Sequence, residues 1–475
     1  MQTNLLANPH SDAQNPSTST VVVAETRHKV LQLFNANPEH FDVVFTANAT
    51  AAIKLVMECF SGHRDGFDFC FHRNCHTSVV GVREVARRSQ CLASDEETEH
   101  WLDAHDEKRR WDGNGQPQLF AYSAQSNMNG QRLPLTWAGR VRSNACRANT
   151  YTLLDAAAFV STTPLNLSDH NTAPDFVALS FYKIFGFPDL GALIVRKASA
   201  HILDHRKYFG GGTTEMITCF GEKLWAARKE ASIHARLEDG TIAIRSILAL
   251  RCAIDVHWKL FGGMDAVSKH TSWLAKMLHD RLLLIHHYNG VPVCHMYTAP
   301  NSRYGDMKTQ GATITFNIRK SDGSWVGAYS AGSILRADKI HVRTGSLCNP
   351  AGMACALNLS PEDIREAFDT GFRCNQDGDV RESGVLFGMV RVTLGAMSTL
   401  ADIEALVRCL ESRFVDKSCQ SDMGEVLSGS SSTETVKGKS PSLLSKDDAS
   451  YKLDESLQER VWDMRTRRFG CLEFR

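Results

Sequence analysis

Short apolar runs separated by helix-length segments constrain the fold of this chain more than any other feature of its sequence. FDVVFTANAT followed by AAIKLVMECF reads as a buried strand, a polar turn and a helix, because Ile53, Val56, Met57 and Phe60 recur at the i, i+3, i+4, i+7 spacing of one helical face. PQLFAYS, TYTLLD, DFVALSF and GALIVR repeat the strand pattern, each set off by a helix-sized interval. That alternation predicts an α/β fold built on a mostly parallel sheet covered by helices. The long helical stretch IAIRSILALRCAIDVHWKLF closes this large domain, placed at 21–264. A smaller α+β domain follows at 265–415, with GATITFNIR and VLFGMVRVTLG as its strands.

The flanks are of another kind. Residues 1–20 are polar and rich in Pro, Asn and Ser, an N-terminal arm. Residues 416–475 contain SGSSSTETVKGKSPSLLSKDDAS, a tail whose composition buries too little apolar surface to order itself. Within it Leu453, Leu457, Val461 and Met464 fall at helical spacing, in a helix that either docks or frays in solvent.

The 53 basic and 53 acidic residues cancel, so no bulk field draws the chain to nucleic acid or an anionic membrane. There is no apolar stretch of about 18 residues, and the N-terminus lacks the basic-then-apolar layout of a secretory signal. A soluble, cytoplasmic protein acting on a small molecule or another protein is expected. The 14 cysteines are scattered without a Cys-x-x-Cys pair, which predicts reduced thiols rather than a metal site or a disulfide framework.

Two constellations carry chemistry. In LLDAAAF and LSFYKIFG, Asp155 ends one strand and Lys183 follows the next, which places both at the carboxyl edge of a parallel sheet, where such folds bind ligands. Pyridoxal phosphate (PLP) needs this pair: an amine to condense with its aldehyde, and a carboxylate to keep its pyridine nitrogen protonated. A surface lysine explains a bare Asp and Lys equally well, but Leu179, Phe181, Ile184 and Phe185 predict a Lys183 with no solvated face. The second constellation is TANAT, where a helix start offers free N–H groups and Thr50 a hydroxyl for a phosphate. Thr50 is equally able to cap the helix.

Six segments in register then make a family resemblance specific: VVFTANATAAIKLVMECF, NCHTSVVGVREVA, AYSAQSNMNGQRLPLTW, LLDAAAFV, LSFYKIFGFPDLGALIVR and VRTGSLCNP. In this order they resemble the PLP-dependent domain of molybdenum cofactor sulfurases, relatives of the cysteine desulfurases within the class V aminotransferases, over roughly residues 8–415. The resemblance implies the PLP-dependent transferase fold type I. It implies that Lys183 holds the cofactor covalently, that Asp155 pairs with its pyridinium, that His76 stacks on the ring and that Asn127 contacts the ring hydroxyl. Thr50 and Ser180 match phosphate ligands, with Tyr182 where bacterial desulfurases have a histidine. Thr241 matches a threonine that reaches the phosphate from a neighbouring subunit, which implies a homodimer. Arg391 matches the arginine that holds the substrate carboxylate, and Cys348, on a loop expected to move, the thiol that takes sulfur from L-cysteine as a persulfide and leaves alanine. Cys355 is a less certain match, because the spacing through AGMAC is longer than the family's.

The sequence also departs from the family. The Asn-Pro-His-Ser motif at 8–11 stands almost at the start, so an earlier segment is expected to be missing. Asn48 replaces a usual glycine, a tolerable change because asparagine accepts left-handed backbone better than most residues. The residues after Val415 are expected to be too few for a domain that binds molybdenum cofactor. Three readings follow: a desulfurase passing persulfide to molybdenum cofactor or a carrier protein, a PLP-dependent lyase or carbon–carbon bond-forming enzyme of specialised metabolism, and a non-catalytic relative. Lys183, Asp155 and Arg391 argue against the third, and Cys348 favours the first over the second.

Overall fold

The computed structural model of the chain describes residues 18–103, 116–374, 378–380 and 385–417. Most of the expected arm, the motif at 8–11 and the tail from 418 onward, with its helical spacing from Leu453, lie outside them. The helix Thr18–Leu33 begins inside the stretch read as arm, because Val23, Val30 and Leu31 bury in the main core.

Seven strands form the large sheet: β1 (Phe41–Thr46), β2 (Asp68–His72), β3 (Arg88–Leu92), β4 (Gln118–Ser123), β5 (Thr150–Asp155), β6 (Phe176–Ser180) and β7 (Gly191–Arg196). Their order across the sheet is β1-β7-β6-β5-β4-β2-β3. Strands β2 to β6 are mutually parallel, and β7 runs antiparallel to both β6 and β1, so β7 alone opposes the other six. The cause is local. Residues 181–190 are too few for a crossover, which takes a dozen or more residues, so the chain turns straight back after β6.

Both faces of this sheet are covered, and the strands read as unbroken apolar runs for that reason. Phe120, Tyr122, Leu154 and Ile194 point into one core with Trp137 and Leu250, while Leu119, Leu153, Phe176 and Leu193 point into the other with Ile53 and Phe60. Each such side chain contributes about 1.5–3 kcal/mol by leaving water.

A two-stranded ribbon, β8 (Thr214–Ile217) with β9 (Ala226–Arg228), leads towards the long helix Ile244–Phe261. The second sheet holds β10 (Cys294–Met296), β11 (Thr313–Arg319), β12 (Trp325–Val326), β13 (Arg343–Gly345) and β14 (Met389–Thr393). It is antiparallel throughout, in the order β10-β11-β14-β13 with β12 beside β11. Ile314, Phe316 and Val390 pack there on Leu274, Leu335 and Leu406 of three helices. Among the described residues no helix is long and apolar enough to cross a membrane.

Candidate active site

The carboxyl ends of β4, β5, β6 and β1 lie in one row. Ser123 is in register with Asp155, Asp155 with Ala178, Ser180 with Gly191, and Gly191 with Thr46. Gly191 is indispensable there, since a Cβ on it would sit 2.4 Å from the backbone carbon of Asn48. The missing side chain lets the turn after β1 cross the sheet edge and start the helix Ala49–Ser61 above it. Asn48 needs no left-handed backbone: its φ is −170°, and its side chain caps the helix by accepting the Ala51 N–H at 3.0 Å. An N-cap requires extended backbone, which asparagine supplies as readily as its oxygen. Thr50 is thereby released from capping. It is exposed in the first turn, with Oγ1 2.7 Å from Ser78 Oγ.

Lys183 sits in the short helix Phe181–Phe185 that follows β6. Phe181 and Ile184, three apart, turn inward and are buried, and this leaves Tyr182 and Lys183 exposed. The expectation of a lysine without a solvated face is therefore corrected: the apolar neighbours occupy the opposite side of the same turn. Lys183 lines a cavity of 590 Å³ with Phe185, Phe187, Val256 and Met397. Ser180 is 2 % exposed, and its hydroxyl has no hydrogen-bond partner among the described residues. Asp155 is also buried, and its Oδ1 accepts the Ala157 N–H at 3.0 Å.

His76 follows β2 and caps the short helix Thr77–Val80 with its ring. Its Nδ1 accepts the Ser78 N–H at 3.1 Å and lies 2.9 Å from Ser78 Oγ. Burial holds its pKa below the ordinary histidine value; Lys183 and Arg391 push the same way and Asp155 opposes them. Those three charges thus converge on one imidazole.

The second sheet closes the site through Asn127, in the turn after β4. Its Nδ2 donates to the Leu347 carbonyl at 2.7 Å, its Oδ1 accepts from Asn349 Nδ2 at 3.1 Å, and its own carbonyl accepts from Arg391 Nη1 at 2.6 Å. Arg391 lies opposite Arg343 across β14 and β13. Burial first, and Arg343 second, lower the pKa of its guanidinium, and its Nε has no partner among the described residues.

Cys348 occupies the link between β13 and the helix Pro350–Ala356. That loop is bonded to the first sheet. The Cys348 carbonyl accepts the Thr77 N–H at 2.9 Å, and Leu347 and Cys348 hold φ of 56° and 54°. Consecutive left-handed side-chain residues persist only where surroundings impose them. Asn349, fully buried, donates to the Asn74 carbonyl at 3.3 Å and caps the helix through the Gly352 N–H at 3.1 Å. Cys355 lies further along that helix, exposed, with Sγ 3.2 Å from Arg73 Nη1.

Thr241 is exposed and stands apart from the Lys183 cavity, on a 450 Å³ hollow shared with Thr46, Ala47 and Ala51. Sequence reasoning missed Ser78 and Asn349. Asn349 was readable from its Asn-Pro pair, a cap residue followed by proline at the first helical position. Ser78 carried no such signal.

The large sheet thus has one reversed strand, with an aspartate ending β5 and a lysine in the short helix after β6. The chain belongs to the aminotransferase class-V family, whose model matches residues 1–406. More particularly, it is 50 % identical over 418 residues to a molybdenum cofactor sulfurase of Botryotinia fuckeliana and 49 % identical over 420 residues to one of Aspergillus niger. These alignments cover 88 % of this chain and 51 % and 50 % of the relatives, so the chain spans about half the length of the curated relatives it matches. Among solved structures, the apo cysteine desulfurase of Thermococcus onnurineus NA1 shares the fold, with a TM-score of 0.62 at 18 % identity over 86 % of this chain and 87 % of that one.

Proposed function

We propose that the chain is a PLP-dependent cysteine desulfurase of the molybdenum cofactor sulfurase type, which takes sulfur from L-cysteine onto Cys348 and releases alanine. The observation that carries this reading is that the residue after His76 bonds the Cys348 carbonyl and Arg391 bonds the Asn127 carbonyl, beside the strand ends that bear Asp155 and Ser180. The names of the relatives at about half identity support it.

The residues present fit PLP. Ser180 offers a buried hydroxyl without a partner, and Thr50 an exposed hydroxyl in the first turn of a helix, a pair suited to a phosphate with Tyr182 beside it. Asp155 suits a pyridinium, His76 the ring face and Lys183 the aldehyde. Asn127 Nδ2 carries a second hydrogen for a ring hydroxyl. Thr241 reaches the phosphate from the partner in a homodimer. When bound, PLP supplies an electron sink for bonds at the substrate α-carbon.

Arg391 holds the cysteine carboxylate through its free Nε and the rest of its planar fork. Cys348 attacks the substrate sulfur as a thiolate. An S–S bond forms, the C–S bond breaks, and the carbon takes its electron pair and a proton to become alanine. Lys183 is the exposed amine placed to move protons over the substrate. The bonds to Thr77 and Asn127 hold the Cys348 loop at the site. The acceptor, molybdenum cofactor or its carrier protein, comes to it in the cytoplasm.

Incubation of the protein with L-cysteine, followed by alanine assay and peptide mass spectrometry, tests this reading. One alanine per chain in a single turnover with a persulfide on Cys348 is expected. Absence of alanine overturns it in favour of a lyase-type reaction on the same scaffold.

A further inference from the structure

Three polar groups stand in a row beside the cleft. Thr50 Oγ1 lies 2.7 Å from Ser78 Oγ, and Ser78 Oγ lies 2.9 Å from His76 Nδ1, which the Ser78 N–H also reaches at 3.1 Å. A backbone N–H can only donate, so Nδ1 is an acceptor and neutral His76 carries its proton on Nε2. Two hydroxyl oxygens this close share one proton.

The row therefore has two arrangements. In one, Thr50 donates to Ser78 and Ser78 donates to Nδ1. A proton on Nδ1 would then face two donors, which locks the imidazole neutral. In the other, Ser78 donates to Thr50 and turns an oxygen lone pair towards Nδ1. Nδ1 can then hold a proton that Ser78 Oγ accepts, at the cost of the longer contact from the Ser78 N–H. An anion at the start of the helix Ala49–Ser61 takes the Thr50 proton for itself and selects the second arrangement.

We infer that Ser78 is a positioning residue whose hydroxyl reverses direction when an anion binds at Thr50, turning His76 Nδ1 from an acceptor into a site that can hold a proton. This rests on the reading of Thr50 as a phosphate donor. The charges that face His76 act in both arrangements: Asp155 favours its protonation, while burial, Lys183 and Arg391 oppose it. Switching the hydroxyl adds a term that depends on occupancy. His76 then exchanges a proton beside Lys183 only when the phosphate site is filled.

The test is an NMR pH titration of the full chain freed of cofactor, with isotope-labelled histidine, in the absence and presence of inorganic phosphate. The His76 signal is assigned with His76→Gln. Phosphate should raise the proton affinity of His76 in the wild type by about five- to tenfold more than in Ser78→Ala, the scale of one net hydrogen bond. Ser78→Thr, which keeps a hydroxyl, should behave as wild type and guards against a folding defect in the alanine variant. By linkage, phosphate should bind the wild type more tightly at low pH by the same extra factor. If the Ala49 and Thr50 amides respond to phosphate but Ser78→Ala shows the full wild-type shift, the coupling is overturned and the reading of Thr50 stands. If those amides do not respond, both fall.

Discussion

The amide of Thr77 donates to the carbonyl oxygen of Cys348 at 2.9 Å, joining the turn that carries His76 to the loop that carries the thiol. The bond is made by backbone atoms on both sides, so it survives a change of either side chain.

Cys348→Ser should therefore fold and bind L-cysteine, since the loop, Lys183 and Arg391 are intact. Alanine formation should fall by roughly 10³-fold or more, the scale of removing a covalent nucleophile. Stopped-flow absorbance separates binding from turnover. A normal alanine rate in this variant would sink the assignment of the thiol.

Asn349→Ala removes a helix cap and the side chain that ties the loop to Asn74 and Asn127. The loss should be about 1–3 kcal/mol, read as a lower urea midpoint. Alkylation of Cys348 by iodoacetamide should also quicken, because the loop then keeps only the Thr77 and Asn127 bonds and opens more readily.

Gly191→Ala drives a methyl group into the Asn48 backbone and lifts the start of the helix Ala49–Ser61 off the sheet edge. Overpacking of this kind costs about 1–3 kcal/mol. Since Thr50 moves with that helix, PLP should dissociate faster in the variant, as followed by loss of visible absorbance on gel filtration.

The purified protein should be yellow, borohydride should fix the cofactor to Lys183, and peptide mapping should find the label there. Lys183→Ala should remain unlabelled. A label on any other lysine contradicts the placing of Lys183 beyond Ser180.

Acid should destabilise the fold through buried histidines. Burial lowers the pKa of His76, His257 and His270 from the model-peptide value of 6.5. The unfolded chain thus binds protons in a range where the folded chain does not, and stability must fall as protons are taken up. The contribution is complete above about pH 6.5 and is lost as pH drops through the folded-state values. Urea midpoints should decline from about pH 7.5 to about pH 5, and His270→Asn should show a shallower slope by up to about one proton.

Much of the fold and half of the site could be read from the chain itself. The strands at TYTLLD and DFVALS, and with them the places of Asp155 and Ser180, follow from apolar runs whose length and spacing are local properties. Short-range chemistry also explains the asparagine caps at Asn48 and Asn349 once the helix starts are known. Motif order supplied Arg391 and Cys348, which no local pattern would have distinguished.

Tertiary structure decided what depends on residues far apart in sequence. Lys183 proved exposed because Phe181 and Ile184 turn to the other side of one helical turn, a direction that composition does not encode. The Cys348 loop is bonded to Thr77, Asn74 and Asn127, which come from strand ends on another sheet. Ser78 acquires its place between Thr50 and His76 only when the turns after β1 and β2 are brought together. Local sequence sets which elements form and which side chains end them; hydrogen bonds between those ends exist only after packing has brought them within about 3 Å.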